Sequence, residues 1–549
     1  MDNKFVLNYL STSKTFTKKV KLVDVIGKDN KEYICAKVNN RIRELNYDVY
    51  YNADVEFLTV LDMEAVKIYE STLRYLIAMA IYRIDPKLHV KFSYNVSRSI
   101  FGLFLNLDKP LTSAFINRIK EELDKIIEAD YPINKKIVTS DQALEIFKQY
   151  GHDDKIEILK YRPEKTVHLY ECDGYLNYMY SHMVPSTGYI KKYKIRLYAP
   201  GFIIQYPRSE CNGEIPDFED TPKFGRTLKN SSIWAKECKC ESIAQINKYV
   251  EERGPIDFIN MCESFHNNML SELGKLIKEN RDEIRLICIA GPSSSGKTTF
   301  SNRLRAELLS QGIFPVKVSI DDYYLEKHLL KKEPDGSYDL ETIEALDIES
   351  FNKDISSLIQ GNEVTLPHYN FKTGKKEQGK TIKVDLNSPI IIEGIHALND
   401  RLTSLVPKHQ KFKIYIAPQA QINIDNHNPI SLTNMRLLRR IVRDKKFRNS
   451  SAEETMSMWP SVRRGEFKWI YSGQEDADFV FNSLLSYEFP VMKKYAMPVL
   501  NAIDNDSPYY ITANKLIKFI KYFVDMDDKF VPCNSLMREF IGDSCFQDV

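Results

Sequence analysis

The chain has 549 residues, of which 43% are hydrophobic and 28% are charged. This length predicts about three or four domains, and the composition is that of a globular protein with apolar cores rather than of a disordered or fibrous chain. The 77 basic and 75 acidic residues almost cancel, so the net charge gives no reason to expect nucleic acid or an anionic membrane as the main partner.

Cysteine usage and the absence of targeting segments favour a cytoplasmic protein. The nine cysteines are scattered, and only Cys238 and Cys240 lie close together, without the two-residue spacing of a zinc knuckle or a redox pair. We therefore expect free thiols in a reducing compartment. The N-terminal residues do not resemble a signal peptide, and the most apolar helical run, residues 73–84, is interrupted by arginines. No membrane association is predicted.

The pattern of apolar residues divides the chain. Short alternations predict strands and a small β domain between residues 4 and 60, and from Glu64 the spacing becomes helical and opens a long α+β stretch. Residues 207–232 are rich in Pro, Gly, Ser and charge and predict a linker, after which a helical segment leads into alternating strands and helices. The predicted domains are residues 1–62, 63–225, 226–282 (linker and helical connection) and 283–549.

One stretch carries a specific chemical signal. Residues 291–298, "GPSSSGKT", fit the pattern G-x-x-x-x-G-K-[ST], between the strand-like "IRLICIA" and the helical "TTFSNRLRAELLSQG". Backbone N–H groups and the helix N-terminus would bind phosphates, Lys297 would reach the β- and γ-phosphates, and the Thr298 hydroxyl would bind Mg²⁺. The nucleotide-binding residues are predicted to be Gly291, Ser293, Ser294, Ser295, Gly296, Lys297, Thr298 and Thr299. The sequence therefore predicts a P-loop domain that binds ATP and Mg²⁺.

Two later strands end in acids. "VKVSIDD" ends in Asp321 and Asp322, and "PIIIEG" ends in Glu393. The carboxyl ends of parallel strands face the ligand, so these carboxylates are expected near the phosphates. Asp321 could accept a proton from an acceptor hydroxyl or help to hold the metal, with a helix N-cap as the structural alternative. Glu393 could orient Mg²⁺ through its waters.

A basic helix follows these strands. Its arginines could neutralise charge on a migrating phosphoryl group, although a charged helix face is more often simply solvated. The candidates are Arg436, Arg439, Arg440, Arg443 and Arg448.

In this order the motifs of residues 285–500 resemble the uridine kinase family, within the group that includes phosphoribulokinase. That family's Q-D-[ST]-[FY]-Y, F-D-x-P-x-A-x-D, P-x-Y-D-F, F-E-G-I-L-A and R-R-[IVL]-x-R-D segments read here as "IDDYY", "LETIEALD", "LPHYNF", "IIEGIHAL" and "RRIVRD". The resemblance implies an ATP- and Mg²⁺-dependent nucleoside kinase. It assigns Asp321 as general base with contact to Mg²⁺, Glu393 to the metal, Arg443 to the phosphates, Arg448 to ATP, and Tyr324, Glu341, Tyr369 and Arg440 to the nucleoside.

The departures from that family concern the acceptor. The family places a histidine shortly after the tyrosine of its P-x-Y-D-F segment, whereas here Gly374 lies near that place and His368 precedes Tyr369. An insert, "APQAQINIDNHNPISLTN", also separates a strand from the arginine helix. Uridine or cytidine is the leading acceptor, and a sugar phosphate or another small hydroxyl compound is the alternative. A homo-oligomer is left open.

The front of the chain resembles the N-terminal region of threonyl-tRNA synthetase, with its TGS (ubiquitin-like, β-grasp) domain and its editing-type domain. The family's H-x-x-x-H and C-x-x-x-H positions hold Glu70, Arg74, Tyr178 and His182, so three of the four editing residues are replaced. This favours a binding, regulatory or stabilising role over hydrolysis. A regulatory or RNA-binding protein is a third hypothesis, and the near-neutral charge disfavours tRNA.

The predicted fold class is α/β. A C-terminal P-loop NTPase domain, with a parallel sheet and flanking helices, follows a small β-grasp-like domain and an α+β domain. In the C-terminal tail, predicted to pack against the kinase sheet, Arg538 and Glu539 suggest no chemistry.

Overall fold

The computed structural model describes residues 4–94, 96–330, 339, 341–370, 373–419 and 422–546. The first region contains β1 (Phe5–Tyr9), β2 (Thr12–Phe16), β3 (Val20–Lys21), α1 (Leu22–Ile26), β4 (Cys35–Val38), β5 (Arg41–Arg43), β6 (Asp48–Val49) and β7 (Ala53–Leu58). Five strands form a mixed sheet in the order β2-β1-β7-β4-β5, in which only β1 and β7 pair in parallel. Alternate residues of β7 are buried, which gives this sheet one core face.

The second region surrounds one long helix. Its elements are α2 (Met63–Ile84), β8 (Val90–Tyr94), β9 (Ile100–Phe104), α3 (Ser113–Glu128), β10 (Asn134–Thr139), α4 (Ser140–Gln149), α5 (Asp153–Leu159), β11 (Thr166–Cys172), β12 (Tyr175–Tyr178), β13 (Lys194–Tyr198) and β14 (Gly201–Gln205). The strands form two antiparallel sheets, β13-β14-β9-β8 and β10-β11-β12. Helix α2 is apolar on nearly all sides and is accordingly buried over most of its length.

Three helices connect this region to the next: α6 (Pro222–Glu237), α7 (Ile243–Arg253) and α8 (Pro255–Glu279). The stretch 207–232 is therefore not a linker throughout, because α6 begins inside it. Proline suits the first turn of a helix, where no N–H partner is needed, so Pro222 begins α6 rather than preventing it. The Phe224 ring of α6 packs against the Tyr415 ring in the C-terminal region, with ring centroids 6.3 Å apart.

The C-terminal region confirms the predicted α/β class. It contains β15 (Leu286–Ala290), α9 (Lys297–Ser310), β16 (Val316–Ser319), α10 (Ile348–Ile359), β17 (Glu363–Asn370), β18 (Lys375–Lys383), β19 (Ile390–Glu393), β20 (Lys411–Ala417), β21 (Asn423–Asp425), β22 (Asn428–Pro429), α11 (Leu432–Phe447), α12 (Ala452–Gly465), β23 (Phe479–Asn482), α13 (Glu488–Asn501), α14 (Tyr510–Ile520) and α15 (Arg538–Ile541). Five strands form a parallel sheet in the order β16-β19-β15-β20-β23. All five residues of the central strand β15 are buried, as expected for a parallel sheet covered on both faces.

The insert between β20 and α11 forms the hairpin β21–β22, which lies against the second region. Lys155 Nζ and Asp425 Oδ1 are 2.8 Å apart, and both side chains are fully buried. The Arg74 guanidinium donates to the backbone oxygen of His427, and the Tyr180 N–H donates to Asn428 Oδ1 at 2.9 Å. The hairpin thus joins the C-terminal region to the front of the chain.

Two observations concern the predicted environment. All nine cysteines are free thiols in the structure. Within the described ranges, none of the helices combines the length and the apolar character that a membrane span requires.

Candidate active site

The turn between β15 and α9 has the backbone that a phosphate-binding loop needs. A Cβ atom at Gly291 would lie 2.0 Å from the backbone oxygen of Ile416, so any side chain there would clash with β20. Gly296 has a φ of +90°, and a Cβ atom would lie 2.4 Å from Leu536 Cδ2. Ser294 also adopts a left-handed φ of 58°. The glycines of the motif are therefore required by close packing and by backbone conformation.

Several hydroxyl groups of this loop fit a bound anion. Among the described residues, the hydroxyls of Ser294, Ser295 and Thr299 are buried and have no hydrogen-bond partner. Buried hydroxyls are normally paired, so unsatisfied ones around a helix N-terminus indicate a place for an acceptor such as phosphate oxygen. Ser293 Oγ is instead paired with Arg440 Nη1 at 2.9 Å.

Lys297 lies at the centre of the site. Its Nζ donates to the backbone oxygens of Gly291 and Pro292, at 3.0 and 3.3 Å. Burial lowers the pKa of Lys297, and four acidic side chains oppose that shift: Glu393, Glu539, Asp321 and Glu341. The lysine side chain therefore lies over the loop within an acidic surrounding.

The residues predicted to bind the metal lie together. The Thr298 hydroxyl donates to Glu393 Oε1 at 3.2 Å, across α9 and β19. Burial and the neighbouring Asp321 raise the pKa of Glu393 to about 7. One hydroxyl and carboxylates beside a phosphate site are the ligands that Mg²⁺ uses with nucleotides, so these residues fit that ion.

Asp321 and Asp322 lie in the 3₁₀ turn Ile320–Tyr323, which directly follows β16, and their contacts differ. Asp321 is exposed to solvent beside Lys297 and Tyr324, and we call this open side of the group the cleft. Desolvation by the groups around it raises the pKa of Asp321, and Lys297 opposes that rise. Asp322 Oδ1 instead lies 3.0 Å from His368 Nδ1 and accepts from the Tyr369 N–H at 3.3 Å. Asp322 therefore holds β17 beside the turn, while Asp321 faces the cleft.

The residues predicted to contact the acceptor form the opposite wall. The Tyr324 and Tyr369 rings have centroids 5.7 Å apart. Burial raises the pKa of Tyr324, with further increases from Asp321 and Glu341, so this phenol lies among the carboxylates. Burial also raises the pKa of Glu341 to about 7, although Arg440 opposes the shift. The wall thus combines two aromatic faces with a carboxyl group.

Three of the predicted arginines form ion pairs with the same residue, Asp444. Its buried carboxylate lies 3.3 Å from Arg440 Nε, 2.8 Å from Arg443 Nη2 and 3.6 Å from Arg448 Nε. Arg448 also opposes the rise in the pKa of Asp321, which indicates that the two side chains lie near each other. The sequence did not single out Asp444, although it ends the motif "RRIVRD".

The other two arginines do not face the cleft. Arg436 pairs with Glu466 and donates to the backbone oxygen of Ser293 at 3.0 and 3.1 Å. Arg439 is fully buried, lies 2.5 Å from Glu488 Oε2 and donates to the Ser294 backbone oxygen at 3.3 Å. The prediction that these two neutralise the migrating group is wrong, since both are committed to fixing the loop.

One residue that the sequence passed over lies in the site. Glu539 Oε2 accepts from the backbone N–H of Thr299 at 3.0 Å. No motif marks this residue, and it comes from a C-terminal segment 240 residues further along the chain.

The four positions that correspond to editing residues are all described by the structure, and they contact other protein groups. The positions of the H-x-x-x-H pair form a buried ion pair, Glu70 with Arg74, at 2.5 Å. His182 Nδ1 lies 3.2 Å from Glu44 Oε1. Burial alone would raise the pKa of Glu44, but His182 and Lys135 lower it to about 2. Tyr178 is a buried core residue. These residues are therefore satisfied by each other and by the hairpin.

The C-terminal region is similar to known kinases. Residues 286–488 match the model of the phosphoribulokinase / uridine kinase family, which is about two fifths of this chain. Among solved structures it is similar to a "possible uridine kinase" from Bacillus stearothermophilus, at 22% identity over 39% of this chain and 98% of that one, with a TM-score of 0.26. A D-glycerate 3-kinase from Cryptococcus neoformans is matched at 14% identity over 46% of this chain and 87% of that one, with a TM-score of 0.20.

The N-terminal region is similar to threonine–tRNA ligases. The enzyme of Desulforamulus reducens is 30% identical over 166 residues, and threonine–tRNA ligase 1 of Bacillus subtilis is 31% identical over 167 residues. Each match covers 30% of this chain, which spans about a quarter (26%) of the length of those ligases.

Proposed function

We propose that the protein is an ATP- and Mg²⁺-dependent kinase that phosphorylates the 5′-hydroxyl of a nucleoside, with uridine or cytidine as the leading acceptor. The position of Asp321 carries this proposal. Its carboxylate is exposed, and it is close enough to Lys297 of the P-loop and to Tyr324 to influence the pKa of both. A base at this position would lie between the γ-phosphoryl group of bound ATP and the hydroxyl group of the acceptor.

In the proposed reaction the acceptor oxygen bonds to the γ-phosphorus, the bond from that phosphorus to the bridging oxygen breaks, and ADP leaves. Asp321 takes the acceptor proton, and its raised pKa makes it a stronger base than an ordinary aspartate. Lys297, with Arg443 and Arg448 on Asp444, balances the charge on the transferred group. Thr298 and Glu393 would hold Mg²⁺, with contact from Asp321, and the ion would neutralise further phosphate charge.

The acceptor wall supports a nucleoside. Two tyrosine rings can pack on a base, and the Glu341 carboxylate can accept hydrogen bonds from two vicinal hydroxyls of a ribose. A sugar phosphate or another small hydroxyl compound is the alternative. For the front half we propose a structural role, because its editing positions are occupied by an ion pair and by the kinase hairpin.

The deciding experiment is ADP release from Mg-ATP across a panel of nucleosides and sugar phosphates. Turnover with uridine or cytidine, and none with sugar phosphates, is the expected result. Turnover only with a sugar phosphate would keep the mechanism and change the acceptor. Absence of turnover with every acceptor, while ATP still binds, would contradict the proposal and favour a regulatory role.

A further inference from the structure

The C-terminal segment 535–542 forms part of the P-loop site, and its Glu539 occupies a position that an incoming nucleotide needs. Thr299 is in the first turn of α9, where backbone N–H groups have no partner within the helix. In P-loop proteins these groups bind phosphate. Here the N–H of Thr299 is taken by Glu539 Oε2 at 3.0 Å. A carboxylate of the protein itself is therefore bound as an anion in the phosphate cradle.

The backbone of this segment is fixed, but the Glu539 side chain can move. Leu536 packs on Gly296, and Leu536, Met537 and Phe540 are buried. Arg538 Nη2 donates to the backbone oxygens of Asp528 and Val531, at 2.9 and 2.6 Å. Glu539 itself is only half-buried, and its carboxylate accepts from the backbone N–H of Thr299. A rotation of one side chain would therefore clear the site without unfolding the segment.

Charge makes joint occupancy unfavourable. Lys297 already has Glu393, Glu539, Asp321 and Glu341 around it, so its positive charge is shared among four acids. A polyphosphate brings several more negative charges to the same loop, and Mg²⁺ would be held at Thr298 and Glu393 rather than at Thr299. A phosphate oxygen cannot accept from the Thr299 N–H while the carboxylate does so, and two anions in contact repel.

We propose that Glu539 is a built-in competitor for the nucleotide, whose carboxylate occupies a phosphate position of the P-loop and leaves it when ATP binds. This inference rests on the proposed binding of ATP at the P-loop. The apparent Kd is the intrinsic Kd divided by the fraction of molecules in which the site is open. A carboxylate present about nine-tenths of the time therefore weakens binding about tenfold.

The test measures binding by titration calorimetry, with ATP, inorganic pyrophosphate and adenosine as separate probes. The variants are Glu539→Gln, which removes the charge, and Glu539→Asp, which keeps the charge on a shorter side chain. Asp543→Asn is the matched control, because it removes one charge from an exposed side chain that directly follows this segment. Far-ultraviolet circular dichroism and melting temperature verify that each variant is folded.

Glu539→Gln should bind ATP and pyrophosphate about three- to tenfold more tightly than the wild type. Glu539→Asp should also bind both probes more tightly, because the shorter side chain reaches Thr299 less well. The affinity of Asp543→Asn for both probes should equal that of the wild type. Adenosine affinity should not change, since it has no phosphate. Unchanged or weaker binding of ATP by folded Glu539→Gln would overturn the inference, as would equal tightening of adenosine. If neither the wild type nor any variant binds ATP or pyrophosphate, the proposed function is overturned together with the inference. If all of them bind these probes equally well, only the inference is overturned.

Discussion

Asp321 is the residue on which turnover should depend most. Replacement by Asn keeps the size of the side chain and removes the base, so we expect kcat to fall by about 10²- to 10⁴-fold while the Kd for ATP stays within about twofold. Single-turnover kinetics and ATP titration measure the two quantities. Asp322→Asn is the matched control: it loosens His368 and Tyr369, and it should raise the KM for the acceptor more than it lowers kcat. A large loss of ATP affinity in Asp321→Asn would reassign Asp321 to the metal.

The ionisation of Glu341 should determine how acceptor binding depends on pH. Its pKa is raised to about 7, and only the ionised carboxylate accepts hydrogen bonds at both oxygens. The ionised fraction falls from about nine-tenths at pH 8 to about one-tenth at pH 6, so the KM for the acceptor should rise about tenfold as the pH falls over that range. Initial rates at saturating Mg-ATP measure this. Glu341→Gln should remove the dependence, and a dependence that persists in that variant would assign it to another group.

At the scale of single residues, the sequence predicts the backbone of the P-loop because its pattern is contiguous. The loop residues follow one another between a strand and a helix, so the turn could be predicted, whereas the side-chain contacts of these residues could not. Glu539 could not, because 240 residues separate it from Thr299 and no local pattern marks it. The sequence also could not tell which arginines of α11 and its C-cap face the cleft. Arg436 and Arg439 pair instead with Glu466 and Glu488, which belong to later elements.

At the scale of elements, the hairpin β21–β22 is held by a buried ion pair that can be tested. Lys155→Met leaves Asp425 charged and buried, so we expect the free energy of unfolding to fall by about 3–5 kcal/mol. Urea denaturation followed by circular dichroism measures the change. Adding Asp425→Asn should restore part of the loss, because it removes the unpaired charge.

The control for that experiment is an exposed pair. Lys148 and Glu145 are 2.9 Å apart, with 55% and 72% of their side chains exposed, and Lys148→Met should change the free energy of unfolding by less than about 1 kcal/mol. Equal effects of Lys148→Met and Lys155→Met would contradict the role given to the buried pair.

The sequence predicts a helix or strand when the pattern that marks it lies within that element. The strand, loop and helix around the P-loop each carry their own periodicity and glycines, so they follow from the sequence. The insert before α11 could be identified as an insert, but its partners in α2 and α5 could not, because no pattern in residues 423–429 specifies a distant surface. Helix α6 was missed because its proline and polar residues also suit a linker.

At the scale of the whole molecule, the contacts between front and back predict one cooperative unit. Besides the hairpin, Lys515 pairs with Glu64, Lys521 with Glu164, and Lys91 with Glu241. We expect scanning calorimetry to show a single transition that moves to higher temperature as a whole when ATP is added, because ligand binding stabilises every part of a two-state unit. Two transitions, of which ATP moves only one, would contradict this coupling.

The buried pair of Lys155 and Asp425 also has a consequence for synthesis. The two residues are 270 positions apart, so at about 5–20 residues per second the ribosome needs on the order of 15–55 s to add Asp425 after Lys155. During that interval Lys155 has no counterion and the surface that receives the hairpin is uncovered. The front half therefore reaches its final structure only after the residues of the hairpin have left the ribosome.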